Sequence, residues 1–310
     1  MKILAMGKSV PEKILDNAML SQMVETNDEW ITSRTGIHQR RIAGEETVVS
    51  MASAAARQAM ERSGTRPEQI GLVLVCTFTP DLLTPSAACL VQRELGLPDD
   101  VLAYDLNAAC SGFIYGLVTA QALLEQMPGR RGLIIGAEVI SRTVDYTDRG
   151  TCILFGDGAG AAVAEASGES LTADWGAAGN REVLSAGGRL EDGRTAPLSM
   201  NGKEVFRFAV STVPKSITRL LDKAGVGLEQ VDHIVCHQAN HRIVEGIARH
   251  LGTDLSRFYE NIGLYGNTSA ASIPIALCDM QEQNLLHRGE TMVLAGFGSG
   301  LTWGSVLMHW

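Results

Sequence analysis

A thiol, an imidazole and a carboxamide stand in this chain at turns that end a strand-like run or open a helix: Cys110, His237 and Asn267. Cysteine is the side chain best suited to a covalent acyl-enzyme. A neutral His and an Asn can each donate a hydrogen bond to an oxygen that gains charge. The surroundings of Cys110 are the most informative. Upstream, Asp100 to Leu106 reads as a short, mostly apolar strand. Downstream, Phe113, Ile114, Leu117, Val118, Leu123 and Leu124 recur at helical spacing until Pro128-Gly129. Asn107 to Gly112, in between, are all small or polar. Strand, tight turn and helix place the thiol at or near a helix N-terminus. The unpaired N–H groups there favour a thiolate and can hold an oxyanion. The same segment also fits a small buried core cysteine, the usual state of a free thiol.

His237 ends the strand-like run Val231–Cys236 and opens His237-Gln238-Ala239-Asn240. Gly266-Asn267-Thr268-Ser269-Ala270-Ala271-Ser272 reads as a turn and a helix start. Taken alone, a strand-end His is an ordinary satisfied polar group and a Gly-Asn pair an ordinary turn. His233, His237 and His241 fall at four-residue intervals, a spacing that could suggest a metal. The segment crosses from strand to loop, so the three need not share a face. No acidic ligand stands at useful spacing, and no metal is expected.

The elements that must position these residues read as an α/β unit built twice. Helix Met51–Ser63 precedes the β-type run Val73–Thr77, and helix Ser211–Ala224 precedes Ile234–His237. Each half closes on a Gly-rich segment, Ile153–Val163 and Leu294–Val306, read as strand, turn and strand. The division is expected near 166, giving halves 1–165 and 166–310, the first with the Cys and the second with the His and Asn. The polar, Gly-rich stretch Gly176–Gly202 reads as an excursion, since helical sequence resumes after it. A dinucleotide loop would need a helix directly after its glycines. Both turns lead into β-type sequence instead, so their glycines point to close backbone approach.

With 310 residues and 45% hydrophobic content, the chain can bury a large core. No apolar run nears the roughly 20 residues that span a bilayer, and Met1–Gly7 looks like a first strand rather than a signal peptide. Six cysteines scattered without paired spacing fit a reduced, cytoplasmic protein. A net charge of -9 argues against nucleic-acid affinity.

Six segments, in order and through the whole length, resemble the β-ketoacyl-[acyl-carrier-protein] synthase III family, which initiates bacterial type II fatty-acid synthesis. They are Asn27–Ile31 with Arg34–Ile37, Asn107–Phe113, Asp148–Gly150 with Phe155–Ala159, His237–Asn240, Gly266–Ser272 and Leu301–Ser305. The resemblance implies the thiolase fold, an α/β arrangement of five layers, α-β-α-β-α, in two pseudo-symmetric halves, as a homodimer. It implies that Cys110 takes an acyl group from acyl-CoA, and that malonyl on acyl carrier protein then loses CO2 and attacks it. His237 and Asn267 would stabilise the enolate. The N–H groups of Cys110 and Ser299 would form the oxyanion hole, with Phe297 near the departing carboxylate.

By the same resemblance Trp30 and Arg149 would sandwich the adenine of CoA. Arg34 and Arg207 would meet its phosphates or pantetheine arm, and Lys203 stands where the family often has asparagine. Arg242 and Arg249 would dock the acidic carrier protein. Thr84, on the loop Pro80–Pro85 that reaches across the dimer, would border the acyl pocket, and a residue of its size predicts tolerance of chains longer than acetyl.

Departures from relatives sharpen the reading. Phe78 and Thr79 stand where non-decarboxylating relatives carry a glutamate. Gly296–Gly300 lacks the second cysteine of biosynthetic thiolases, and Asn267 replaces the second histidine of elongating ketosynthases. No cofactor is expected beyond the CoA thioesters themselves. Two alternatives stay open: a ketosynthase III-like acyltransferase of secondary metabolism with another acceptor, and a non-catalytic partner subunit.

Overall fold

The computed structural model describes residues 1–168, 171–187 and 196–310. Two sheets dominate. The first is built from β1 (Lys2–Ser9), β2 (Ile70–Cys76), β3 (Leu102–Leu106), β4 (Arg131–Glu138) and β5 (Gly158–Glu165), in the order β1-β5-β4-β2-β3. The second contains β6 (Thr172–Ala177), β7 (His233–Cys236), β8 (Thr291–Gly298) and β9 (Thr302–His309), in the order β6-β9-β8-β7. Four strands correspond in order, β1-β5-β4-β2 with β6-β9-β8-β7, and β3 extends the first sheet beyond β2. In both, β2 with β4 and β7 with β8 are parallel and the two pairings beyond β4 and β8 are antiparallel; β3 adds a further parallel pairing with β2.

Helices make three layers around the sheets. Helices α4 (Gly112–Leu124) and α7 (Ser272–Glu282) lie between them. Their Phe113, Ile114, Leu117, Ile273 and Leu277 share one core with Leu72 and Leu74 of the first sheet and Leu294 and Val306 of the second. The far face of the first sheet is covered by α2 (Val48–Ser63) and α3 (Ala87–Glu94). That of the second is covered by α5 (Gly202–Ala224) and α6 (His241–Leu251). The stack is α-β-α-β-α.

Local sequence explains the elements. Thr47 and Ser50 form a reciprocal cap at the start of α2, and Gly64 in the left-handed region ends it. The buried alanines 52, 55, 56 and 59 let it lie close to β1 and β5. β2 is apolar at every position but its one glycine and fully buried, as a strand covered on both faces must be.

Two expectations need correction. Ile153–Phe155 is not a strand: Asp148 caps a short helical turn, Arg149–Cys152, by accepting from Gly150 N–H and Thr151 Oγ1. The Ile153 carbonyl is then taken by the buried guanidinium of Arg40 at 2.7 Å, so only β5 is extended. Helix α5 begins at Gly202, not Ser211, because Asn201 Oδ1 caps it by accepting from Glu204 N–H, and it carries Pro214 internally. Within Gly176–Gly202, Leu184–Ser185 pairs with Ser199–Met200 as a small two-stranded sheet, and 188–195 lie outside the described residues.

Candidate active site

Cys110 sits on a tight elbow between β3 and α4. Ala109 adopts φ 47°, a left-handed conformation costly for a residue with a Cβ, and a single 3-10 turn, Ala109–Ser111, runs into α4. Asn107 Oδ1 steadies the turn by accepting from Ala109 N–H at 3.2 Å. The turn after β8 closes over it: a Cβ on Gly298 would stand 2.7 Å from Cys110 Cβ and 2.9 Å from Cys110 N, so only glycine fits. Burial pushes the Cys110 thiol up to about 12, and the charge of Glu138 adds to that.

His237 follows β7 and is buried, with its ring edge-on to Phe297 at 5.4 Å between centroids. Its Nδ1 lies 2.7 Å from Ser272 Oγ, which also accepts from Gln238 N–H at 3.3 Å. With the serine hydroxyl donating to Nδ1, the imidazole proton stands on Nε2, the tautomer that can donate into the cavity. Burial holds the ring near pKa 3, so it is neutral at ordinary pH.

Asn267 lies on a second elbow, between the turn Ile262–Tyr265 and α7. Its Oδ1 accepts from Ser269 N–H at 2.9 Å, so the amide protons on Nδ2 are left for the cavity it lines. The three side chains thus meet as a thiol and two neutral donors. His233 and His241 turn to other partners, Glu290 and Glu260, each within about 3 Å.

Three cavities lie side by side and share walls. An outer cleft of about 680 Å³ is lined by Trp30, Arg34, Lys203, Arg207 and Arg242. It shares Leu154, Met200, Phe206 and Asn240 with an inner cavity of about 120 Å³ that Cys110, His237, Asn267 and Phe297 line. That cavity shares Cys110, Phe155 and Leu184 with a third, of about 110 Å³, lined also by Phe78, Leu198 and Ser299. Cys110 stands at the junction of the two inner cavities.

Arg149 and Arg34 both lie against the Trp30 ring, at 4.8 and 5.0 Å from its centroid. A flat base between Trp30 and Arg149 needs roughly 7 Å, twice a carbon contact distance, so the guanidinium must swing away to admit it. Arg207 is exposed and pairs with Glu204 at 2.9 Å. Arg242 and Arg249 are exposed at opposite ends of α6, and Arg249 lines none of the three cavities. Thr84 is exposed and lines none of them either.

Two features were not anticipated from the residues. Glu138, at the end of β4, is fully buried behind the site; burial lifts it to about 7 although Thr77, Phe78 and Thr79 all donate to it. Those bonds fix the loop that carries Phe78 into the third cavity. A carboxylate closing an apolar strand was the available signal. The second is the Ser299 side chain, whose hydroxyl donates to Leu184 O at 2.6 Å.

This five-layer stack, with a cysteine on a strained elbow facing a neutral His and an Asn, defines a thiolase-fold condensing enzyme. Residues 104–179 match the family model "3-Oxoacyl-[acyl-carrier-protein (ACP)] synthase III", and residues 221–310 match its C-terminal counterpart. The chain is 42% identical to the beta-ketoacyl-[acyl-carrier-protein] synthase III of Clostridium acetobutylicum, over 100% of this chain and 98% of that protein. It superposes on the crystal structure of 3-oxoacyl-[acyl-carrier-protein] synthase III from Aquifex aeolicus VF5 with a TM-score of 0.94, at 42% identity, covering 100% and 99%. The priming beta-ketosynthase of the R1128 polyketide biosynthetic pathway also gives 0.94, at 32% identity, covering 99% and 95%. The chain belongs to the 3-oxoacyl-[acyl-carrier-protein] synthase III family. It is an acyltransferase of the Claisen-condensing class.

Proposed function

We propose that Cys110 carries the acyl group and that His237 and Asn267 serve the condensation that follows. The reaction is the family's: an acyl-CoA and malonyl-acyl carrier protein give β-ketoacyl-acyl carrier protein, CoA and CO2. The single observation that carries the assignment of roles is the convergence of Cys110, His237 and Asn267 on one cavity.

In the first half-reaction Cys110 Sγ attacks the thioester carbonyl, and the sulfur's proton ends on the departing CoA. Burial keeps the resting group a thiol, and the positive end of α4 favours the thiolate as it forms. The N–H groups of Cys110 and Ser299 hold the tetrahedral oxyanion. In the second, malonyl loses CO2 and the electron pair of the broken C–C bond becomes an enolate, which attacks the acyl-enzyme and releases Cys110. No base is needed at the α-carbon. Nε2–H of His237 and Nδ2–H of Asn267 donate to the enolate oxygen, and a neutral ring near pKa 3 is suited to donate without titrating. Phe297 gives the departing carboxylate an apolar setting that favours neutral CO2.

The outer cleft suits CoA: Trp30, Arg34 and Arg149 for the adenine and phosphates, Arg207 and Lys203 along the arm. Arg242 and Arg249, seven residues apart on one face of α6, suit an acidic carrier protein. A homodimer is supported by the open edge of β3, where Leu102 is 42% exposed, and by Leu83, 98% exposed on the loop carrying Thr84. A division into halves 1–165 and 166–310 is supported by the two matched sheets. No helix among the described residues is long and apolar enough to cross a membrane, in keeping with action in the cytoplasm. Likeness to the R1128 priming ketosynthase supports a second reading, in which the product enters a secondary-metabolite pathway.

The test is incubation with radiolabelled acetyl-CoA, then malonyl-carrier protein. The expected result is label on Cys110 that passes to acetoacetyl product with CO2 release, and no label in Cys110→Ser. Labelling without CO2 release would mean that the acceptor is another molecule.

A further inference from the structure

We infer that the Ser299 hydroxyl is a positioning group that sets which acyl chains Cys110 accepts, by tying one wall of the acyl cavity to the active-site turn; this rests on the acyl-transfer reading above. Ser299 Oγ donates to the Leu184 carbonyl at 2.6 Å. Leu184 lines both inner cavities, on either side of Cys110. The wall it belongs to is slight. Leu184–Ser185 is a two-residue strand that, among the described residues, pairs only with Ser199–Met200, in a sheet separate from the two large ones. Such a pair is not stable by itself and takes its position from what holds it.

The other end of the tether is rigid. The turn after β8 lies against Cys110, as the 2.7 Å clearance at Gly298 requires. Thr302 Oγ1 lies 3.0 Å from both Ser299 O and Ser111 Oγ, which joins that turn to the Cys110 elbow. Cross-bonds between Ala178 and Leu301 pin its far side. The residue whose backbone N–H faces the oxyanion therefore also fixes, through its side chain, the distance from Cys110 to Leu184. Alanine or glycine at 299 keeps the N–H and leaves the Leu184 carbonyl without this donor.

The test compares Cys110 acylation by acetyl-, isobutyryl- and octanoyl-CoA in wild type, Ser299→Ala and Ser299→Thr. Removing the tether lets the wall recede. The octanoyl-to-acetyl ratio of kcat/KM is expected to rise in Ser299→Ala by on the order of fivefold, the worth of one net hydrogen bond. The change should fall mainly on KM for octanoyl-CoA, and Ser299→Thr, which keeps the hydroxyl, should restore the wild-type ratio. Should Ser299→Ala fail to fold, Leu184→Ala, which cuts the same wall back directly, should move the ratio the same way. An unchanged ratio in whichever of these variants folds, or equal loss for all three chains, would overturn the inference while leaving the acyl-transfer reading intact. Failure of the wild type to take label from any of the three would sink that reading, and this inference with it.

Discussion

The turns Asn107–Gly112 and Asn267–Ser272 share a backbone and differ in what they carry. In each, the asparagine Oδ1 accepts from the N–H two residues on, at 3.2 and 2.9 Å. In each, that donor residue is bent into the left-handed region, Ala109 at φ 47° and Ser269 at φ 51°. Each then makes one 3-10 turn and opens a central helix, α4 or α7. The residue at the tip is Cys110 in the first and Ala270 in the second. The tip of the first lines two cavities. The tip of the second is pressed into the first half, where a Cβ on Gly136 would stand 2.2 Å from Ala270 O. The asparagines have diverged in the other direction. Asn107 is exposed, whereas Asn267 is 6% exposed and aims its amide into the cavity. On the proposed mechanism one device supplies the nucleophile at one elbow and a hydrogen-bond donor at the other, and what differs is the space around each tip.

The space around the first tip can be filled by mutation. Gly298→Ala puts a methyl where Cys110 already stands. The elbow must shift by about 1 Å, and Cys110 acylation is expected to fall by about 10²-fold, while Gly179→Ala, with open space around it, should leave the rate unchanged. A normal rate in Gly298→Ala would mean the elbow is not held from above.

A thiol moved to the twin position asks whether the backbone alone makes a nucleophile. Ala270→Cys in a Cys110→Ala background should give no labelled enzyme, because Ala270 lines none of the cavities. The overpacked tip should lower stability by roughly 1–3 kcal/mol, read from denaturant unfolding. Acylation at 270 would show that the elbow suffices without the cavities.

A smaller difference concerns pH. His237 is held neutral, near pKa 3 against an ordinary 6.5, so below about 6.5 the unfolded chain binds a proton that the folded chain refuses. Stability is lost as pH falls from 6.5 towards 3, by about 2 kcal/mol at pH 5 for this residue. Unfolding free energies of wild type and His237→Gln, measured from pH 8 to 4.5, should therefore converge towards the acid end. Parallel curves would mean the ring is protonated in the fold.

The first elbow was legible in the sequence because hydrophobic period changes abruptly across Cys110, and β8 and β9 because both flanks of Gly296–Gly300 are strongly β-type. Ile153–Phe155 looked equally strand-like, but its conformation is decided by Arg40, 113 residues away in sequence. The start of α5 was hidden because none of its residues before Ala209 is buried, so no core face marks its first turns, and it opens on the Asn201 cap. Ala270 carries no chemical signal, so the twin of Cys110 emerges only from the matching φ values. Ser299 was legible as a backbone donor, whereas its hydroxyl's partner, Leu184, lies 115 residues away.

The proposed mechanism divides the labour between the two elbows: Cys110 for acylation, Asn267 with His237 for the decarboxylative step. Intact-mass measurement of Asn267→Ala and His237→Ala after acetyl-CoA, followed by CO2 release from malonyl-carrier protein, tests it most directly. The expected result is acetyl-enzyme formed to the wild-type extent, with CO2 release reduced about 10²–10³-fold, as for loss of one oxyanion donor. Variants that fail to acylate, or that release CO2 at the wild-type rate, would contradict it.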